Sequence, residues 1–285
     1  MVYGVLAYAL WGFFAAFFPL LAPAAPTEIL AHRIAWTAVF MVGITWYSGA
    51  LRELRRINRR TWITLVFASA VIAINWLVYV IAVNSGHVAE AALGYFINPL
   101  VSVLLGMFFL GERLRLLQKL SVGIAAAAVA ILTIAGGEPP LLGLTLAFSF
   151  GFYGLLKKRI QLSASASLAA ETLVLLPFAL YFLIKLEAAG EGTLFNHGPA
   201  HTALLISTGI VTAIPLLCFG KGVKLIPLST IGMLQYMTPT VQMLWAVFVV
   251  QEELSAIRWV GFVIIWVSVS MYIADLILQR TQKQH

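Results

Sequence analysis

The sequence predicts an all-α membrane protein, with ten transmembrane helices arranged as two inverted five-helix repeats. Three observations carry that prediction. Of 285 residues, 61% are hydrophobic and only 10% charged, against about 45–50% and about 25% in average soluble domains. Ten apolar runs reach, or nearly reach, the length a bilayer demands. The second half also overlays the first at one constant offset, 239 − 99 = 140 residues between two prolines.

The runs cover residues 2–22, 29–49, 62–83, 91–110, 120–136, 141–156, 166–184, 203–220, 228–250 and 259–277. A hydrocarbon core about 30 Å thick needs about 20 helical residues. Barrel strands would instead alternate over about ten residues. The fifth and sixth runs are the shortest and meet at a tight Gly137-Glu138-Pro139-Pro140 turn. The first run has no basic leader, and Pro23-Ala24-Ala25-Pro26 leads directly into the next span, so it reads as a helix and not a cleaved signal.

The net charge is +7. All but three of the 18 Lys and Arg residues fall in loops or span ends on one side, if the N-terminus lies inside. Arg33, Lys185 and Arg258 are the exceptions. Short basic loops mark the cytoplasmic face, so both termini are expected there. That placement of charge speaks against nucleic acid as a partner. Membrane lipid and a small-molecule substrate are the expected partners, with the chain a monomer or homodimer. The single cysteine, Cys218, lies inside an apolar run and offers neither a disulfide nor a metal site.

The offset of 140 pairs Pro99 with Pro239, Glu112 with Glu252 and Leu114 with Leu254. Proline and glutamate are scarce here, so these matches outweigh the apolar ones. The expected boundaries are residues 1–136 for the first repeat, 141–278 for the second, and a cytoplasmic tail at 279–285. Five spans per repeat is an odd number, so the second copy enters the membrane upside down. Secondary transporters use such inverted repeats for alternating access.

Polar groups inside the spans mark candidate substrate-binding positions. Tyr95, Asn98 and Ser102 share one helical face, and the same face of the second repeat carries Gln235, Thr238 and Gln242. Tyr236 adjoins that second set. Pro99 and Pro239 are read as helix breaks, freeing the carbonyls of Tyr95 and Gln235. Asn75, Trp76 and Tyr79 of the third span, Trp11 of the first and Tyr153 of the sixth complete the set. Aromatic faces with amides and hydroxyls suit a small organic solute better than a bare ion. The plain alternative is hydrogen bonding between helices, typically about 0.6 kcal/mol each.

A charge at the bilayer centre costs at least about 2.5–3.5 kcal/mol. Arg33, Glu90 and Glu171 are therefore the candidates for gating or coupling. Arg33 and Glu90 are expected to pair as an outer gate, and Glu171 to meet Lys221 or Lys224. A coupled proton would be carried by Glu90 or Glu171. Snorkelling to the nearer headgroups is the competing reading. His87, His197 and His201 read as solvated loop residues, and the Glu112-Arg113 and Glu252-Glu253 pairs as depth-setting span ends.

No phosphate-binding Gly-rich loop, catalytic triad or zinc pattern can be assembled, so no ATP engine, cofactor, metal or enzyme activity is expected. The reading is a secondary-active transporter of a small organic solute, with a central cavity lined by spans one, three, four, six, eight and nine. The rivals are a flippase for lipid or a polyprenyl carrier, which predicts a lateral groove open to lipid, and a membrane-embedded enzyme.

Several motifs give the chain a family likeness. They are Glu28-Ile29-Leu30-Ala31-His32-Arg33, Asn75-Trp76, Gly94-Tyr95-Phe96-Ile97-Asn98-Pro99-Leu100 with Gly111-Glu112-Arg113, Phe148-Ser149-Phe150-Gly151-Phe152-Tyr153-Gly154, Glu171-Thr172, Val211-Thr212-Ala213-Ile214-Pro215-Leu216 and Leu228-Ser229-Thr230-Ile231-Gly232. The sequence resembles the RarD-type branch of the EamA family, within the drug/metabolite transporter superfamily. The resemblance implies a ten-helix permease of two EamA repeats in a bacterial inner membrane and, since relatives export amino acids and other metabolites, an exporter of small metabolites, amino-acid-like compounds or drugs. Two positions depart from the branch. Pro19 stands where a lysine is usual, and Lys221 where a small residue is expected.

Overall fold

A computed structural model describes residues 1–85, 87–136 and 141–282. The expected turn at 137–140, with Glu138, lies outside the described residues, as do Lys283 and the end of the tail. Among the described residues, nine helical segments are long and apolar enough to cross a membrane. A further helix, Leu141–Arg159, has 19 residues and ends in Lys157, Lys158 and Arg159. It makes the tenth span.

Spans two to eight are single helices: Pro26–Tyr47, Arg59–Asn84, Val88–Leu110, Leu116–Gly136, Leu141–Arg159, Ala164–Ala188 and Gly198–Leu225. Span ten is Ala256–Gln282. Spans one and nine are composite. Span one is regular only over Val2–Gly12, followed by Phe14–Phe17 and a 3-10 turn at Phe18–Leu21. Span nine consists of Leu228–Leu234, Met237–Trp245 and a π-helical turn at Ala246–Val250.

Packing follows the 140-residue offset. Spans two and seven, four and nine, and five and ten contact each other, and each pair joins equivalent helices of the two repeats. The contact of span three with six is matched by that of eight with one, and four with six by nine with one. Tyr236 donates its hydroxyl proton to the carbonyl of Phe96, 3.1 Å away and 140 residues distant in sequence. Equivalent residues touch only beside the axis that relates their repeats, so this bond marks that axis.

Lipid tails are as apolar as leucine, so small residues that let backbones approach closely hold such bundles together. At Gly94 an added Cβ would sit 2.7 Å from the Gly143 carbonyl oxygen, fixing the crossing of spans four and six. At Gly232 it would sit 2.7 Å from the Pro99 carbonyl oxygen and 2.8 Å from the Ser102 Cβ, fixing the crossing of spans nine and four.

Span ends are capped by side chains that satisfy their free N–H groups. Ser163 accepts from the Ala166 N–H at the start of span seven, and its own N–H donates to the Glu53 carboxylate. Glu112 accepts from the Leu228 and Ser229 N–H groups at 2.6 and 2.9 Å and from the Ser229 hydroxyl. The first repeat thus caps span nine of the second.

Candidate cavity between the repeats

A cavity of about 370 Å³ opens between the two repeats. Span one contributes Tyr8, Trp11, Phe14, Phe18 and Pro19, and span two contributes Arg33. Spans three and four supply Asn75, Trp76, Tyr79 and Tyr95; spans six and eight supply Phe150 and Leu216. Span nine completes the wall with Gln235, Thr238 and Gln242. Tyr95 and Gln235 are repeat equivalents, as are Trp76 and Leu216, so the cavity straddles the axis.

The walls are stiff. The Trp11 ring lies 5.5 Å from Tyr8, 5.6 Å from Phe150 in an edge-on arrangement and 5.7 Å from Phe219. Tyr79 and Tyr95 meet edge to face at 6.1 Å. Asn75 donates both to the Leu146 carbonyl and to the Ser149 hydroxyl, each at 2.9 Å, joining spans three and six. Thr238 donates to the Tyr8 carbonyl at 2.9 Å, and the Gln242 amide reaches the Trp11 carbonyl at 3.5 Å, the limit for such a bond. Among the described residues, the Tyr8 hydroxyl and the Gln235 Oε1 are buried with no hydrogen-bond partner.

Arg33 enters from span two. Its Nε donates to the Thr212 hydroxyl at 3.0 Å. Its guanidinium carbon lies 5.0 Å from the Trp76 ring, 5.3 Å from Phe18 and 5.7 Å from Phe14, within range of cation–π attraction. The expected Arg33–Glu90 gate does not form. Glu90 instead accepts from the Leu142 N–H at 2.6 Å, capping span six. Such a bond satisfies a free helix N–H, which makes it a better partner than a distant guanidinium.

Several expected site residues lie elsewhere. Tyr153 donates to the Glu171 carboxylate at 2.8 Å, away from the cavity. Glu171 is bound not by Lys221 or Lys224 but by Lys157, at 2.8 Å, and by the Ser167 hydroxyl at 2.7 Å. Lys157 and Glu171 are 1% and 2% exposed, so neither snorkels. Lys221 lies over the Tyr3 ring, and Lys224 bonds the Leu162 carbonyl. Asn98 and Ser102 bond each other at 3.3 Å beside the Gly232 crossing, and Tyr236 packs at the axis.

The helix breaks differ as well. Val88–Leu110 runs as one helix through Pro99. Span nine does break, at Gln235 and Tyr236. There the Gln235 N–H bonds Gly232 O and the Thr238 N–H bonds Gln235 O, each at 3.0 Å. The Gln235 carbonyl that Pro239 cannot reach is therefore occupied and not free.

The sequence did not single out Tyr8, Phe14, Phe18, Phe150 or Leu216. Tyr8 lies one turn before Trp11 on the same face, a spacing that would have found it; Phe150 needed the tertiary pairing of spans one and six. Glu28 also went unread beyond its motif. It is buried and accepts from the Thr193 N–H at 2.7 Å and from the Thr193 hydroxyl at 3.0 Å, which in turn lies 2.8 Å from His201 Nε2. His201 is therefore buried, where solvation was expected. Among the described residues, no group of three or more His, Cys, Asp or Glu is placed to hold a metal.

A second cavity of about 560 Å³, largely apolar, lies between spans four, five, nine and ten. It shares Tyr95 and Gln242 with the first, and the exposed Glu252–Arg258 pair lies among its lining residues, 3.9 Å apart.

A duplicated helical bundle around a cavity lined with aromatic and polar side chains defines a multi-pass membrane protein with room for a small molecule. The EamA-like transporter family matches residues 1–134 and again 139–274, and the chain belongs to that family. Protein RarD of Streptomyces exfoliatus is 46% identical over 93% of this chain and 85% of its own. Protein RarD of Salmonella typhi is 39% identical over 97% and 95%. The uncharacterized transporter YojE of Bacillus subtilis is 40% identical over 100% and 97%. A solved crystal structure superposes with a TM-score of 0.74 at 19% identity, over 95% of this chain and 96% of that one, a likeness of fold alone. The chain is thus a membrane transporter in its family and its architecture.

Proposed function

We propose that this chain is a secondary-active exporter of the inner membrane that moves small amphipathic metabolites or drugs by alternating access. The observation that carries the reading is the cavity of about 370 Å³ lined from both repeats, with equivalent residues on either side of the axis. Two copies rocking against each other open such a site first to one face and then to the other. The basic loops at 52–60, 113–119 and 157–159 support a cytoplasmic side for those ends and for both termini. An aromatic wall with few polar groups suits an organic solute, and the volume falls in the usual ligand range of about 300–1,000 Å³.

The test is flux. The purified chain in proteoliposomes should move members of a panel of amino acids, organic acids and drugs saturably and without ATP, faster under a pH gradient or counter-solute. Trp11→Ala should cut that flux about tenfold, a loss of about 1.4 kcal/mol. Flux that appears only with ATP would overturn the reading. Scrambling of labelled phospholipid with no solute flux would assign the bundle to lipid movement through its second cavity.

A further inference from the structure

We infer that the cavity takes an amine-free organic monocarboxylate with an aromatic or similarly apolar body, and that Arg33 holds the carboxylate. This inference rests on the transporter reading and gives it a substrate class. Among the described residues, Arg33 is the only charged side chain in the cavity wall. Among the described residues no carboxylate lies within 4.0 Å of it. A recessed charge is costly unless paired. Glu171, another buried charge, has Lys157, whereas Arg33 has no counter-ion among the described residues.

What surrounds Arg33 orients it without neutralising it. The bond to Thr212 uses only Nε. The rings of Trp76, Phe18 and Phe14 pack around the guanidinium and fix its plane. The two terminal nitrogens, the fork that matches a carboxylate bidentately, have no hydrogen bond to the described residues. A carboxylate is the anion this geometry fits, and one arginine fits one negative charge.

The rest of the wall defines the rest of the ligand. The wall also holds the rings of Trp11 and Phe150 and, buried without a hydrogen-bond partner among the described residues, the Tyr8 hydroxyl and the Gln235 Oε1. A carboxylate joined to an apolar ring, with at most a short polar tail, matches these groups. The ammonium of an amino acid would find no carboxylate in this wall, so the acid lacking the amine should bind better than the amino acid itself.

The test compares four near-isosteric probes on the full-length purified protein: 3-phenylpropionate, 3-phenylpropanamide, phenylalanine and 2-phenylethylamine. Binding is read by isothermal titration and by thermal shift. The acid should bind at least tenfold more tightly than the amide or phenylalanine, and the amine should bind worst. Arg33→Gln should shrink the acid-to-amide gap below threefold while leaving amide binding within twofold. Arg33→Lys, which keeps the charge but loses the fork, should retain an intermediate gap and serves as the second variant if the glutamine protein does not fold. Equal binding of acid and amide by the native protein, no binding of the acid, or a gap that survives Arg33→Gln would overturn the inference. Proteoliposome flux of neutral solutes without acid preference would sink this inference and leave the transporter reading standing. Acid binding that shows this preference with no flux of any solute would do the reverse.

Discussion

The two repeats share a scaffold and differ in what they place on it. Span four runs unbroken through Pro99, whereas span nine parts at Gln235 and Tyr236, just before Pro239. Continuous helix also passes through Pro177 and Pro215. A proline by itself therefore does not set the break. What distinguishes span nine is its neighbour: span one loses its own regularity after Gly12, and its Tyr8 and Trp11 carbonyls accept from Thr238 and Gln242. Span four lies instead against Gly232 of span nine, where Pro99 and Ser102 leave no space for a side chain. All three members of the Gln235 face reach the cavity, but only Tyr95 of the equivalent face does.

Charge is distributed just as unequally. Lys157 and Glu171 of the second repeat correspond to Phe17 and Ala31 of the first, while Arg33 corresponds to Leu173. The second repeat thus carries a buried pair that is closed on itself, and the first carries a cation facing the cavity.

The largest effect should come from opening that closed pair. Lys157→Met leaves Glu171 buried and uncompensated, which costs about 3–5 kcal/mol. Thermal unfolding in detergent should show the loss, and adding Glu171→Leu should restore more than half of it. A single variant as stable as the native protein would mean that the pair is solvated and that the contrast between repeats is smaller than argued.

The crossings come next. Gly94→Ala and Gly232→Ala each press a methyl against a backbone oxygen, at about 1–3 kcal/mol for overpacking. Gly123, with nothing within 4 Å of an added Cβ, is the comparison within the first repeat. Its replacement by Ala should be neutral or stabilise by up to about 1 kcal/mol. Equal effects at all three positions would remove the argument from close approach.

The prolines give the smallest and most pointed difference. Pro239→Ala offers span nine the missing N–H and should reduce flux about tenfold, or about 1.4 kcal/mol, with little change in unfolding temperature. Pro99→Ala should stay within about twofold, since its helix is already continuous. Similar flux in both variants would erase the distinction between the spans.

Much of this was legible beforehand, for physical reasons. Bilayer thickness dictates run length, so ten spans could be counted, and a scarce residue repeated at one offset exposes duplication. Sequence also gives depth, which is why Arg33 and Glu171 stood out. It does not give azimuth between helices. Glu90 and Arg33 could be placed near one face of the membrane, but not seen to point at different partners. Lys157 looked like one of three basic residues at a helix end, and only its contacts with Ser167 and Glu171 of span seven, beside Gly220 of span eight, take it out of water. Tyr236 follows Gln235 in sequence, yet one step of about 100° around a helix directs it to the axis and not the cavity.

On the proposed alternating-access reading, the bond between Tyr236 and Phe96 bears on the cycle. Were the copies identical, the form facing inward would be the form facing outward turned over, and the two would be equally populated. A hydroxyl on one member of that couple, with only a phenyl ring on the other, is one of the differences that remove the degeneracy. The empty carrier of that proposal would then rest preferentially on one side of the membrane.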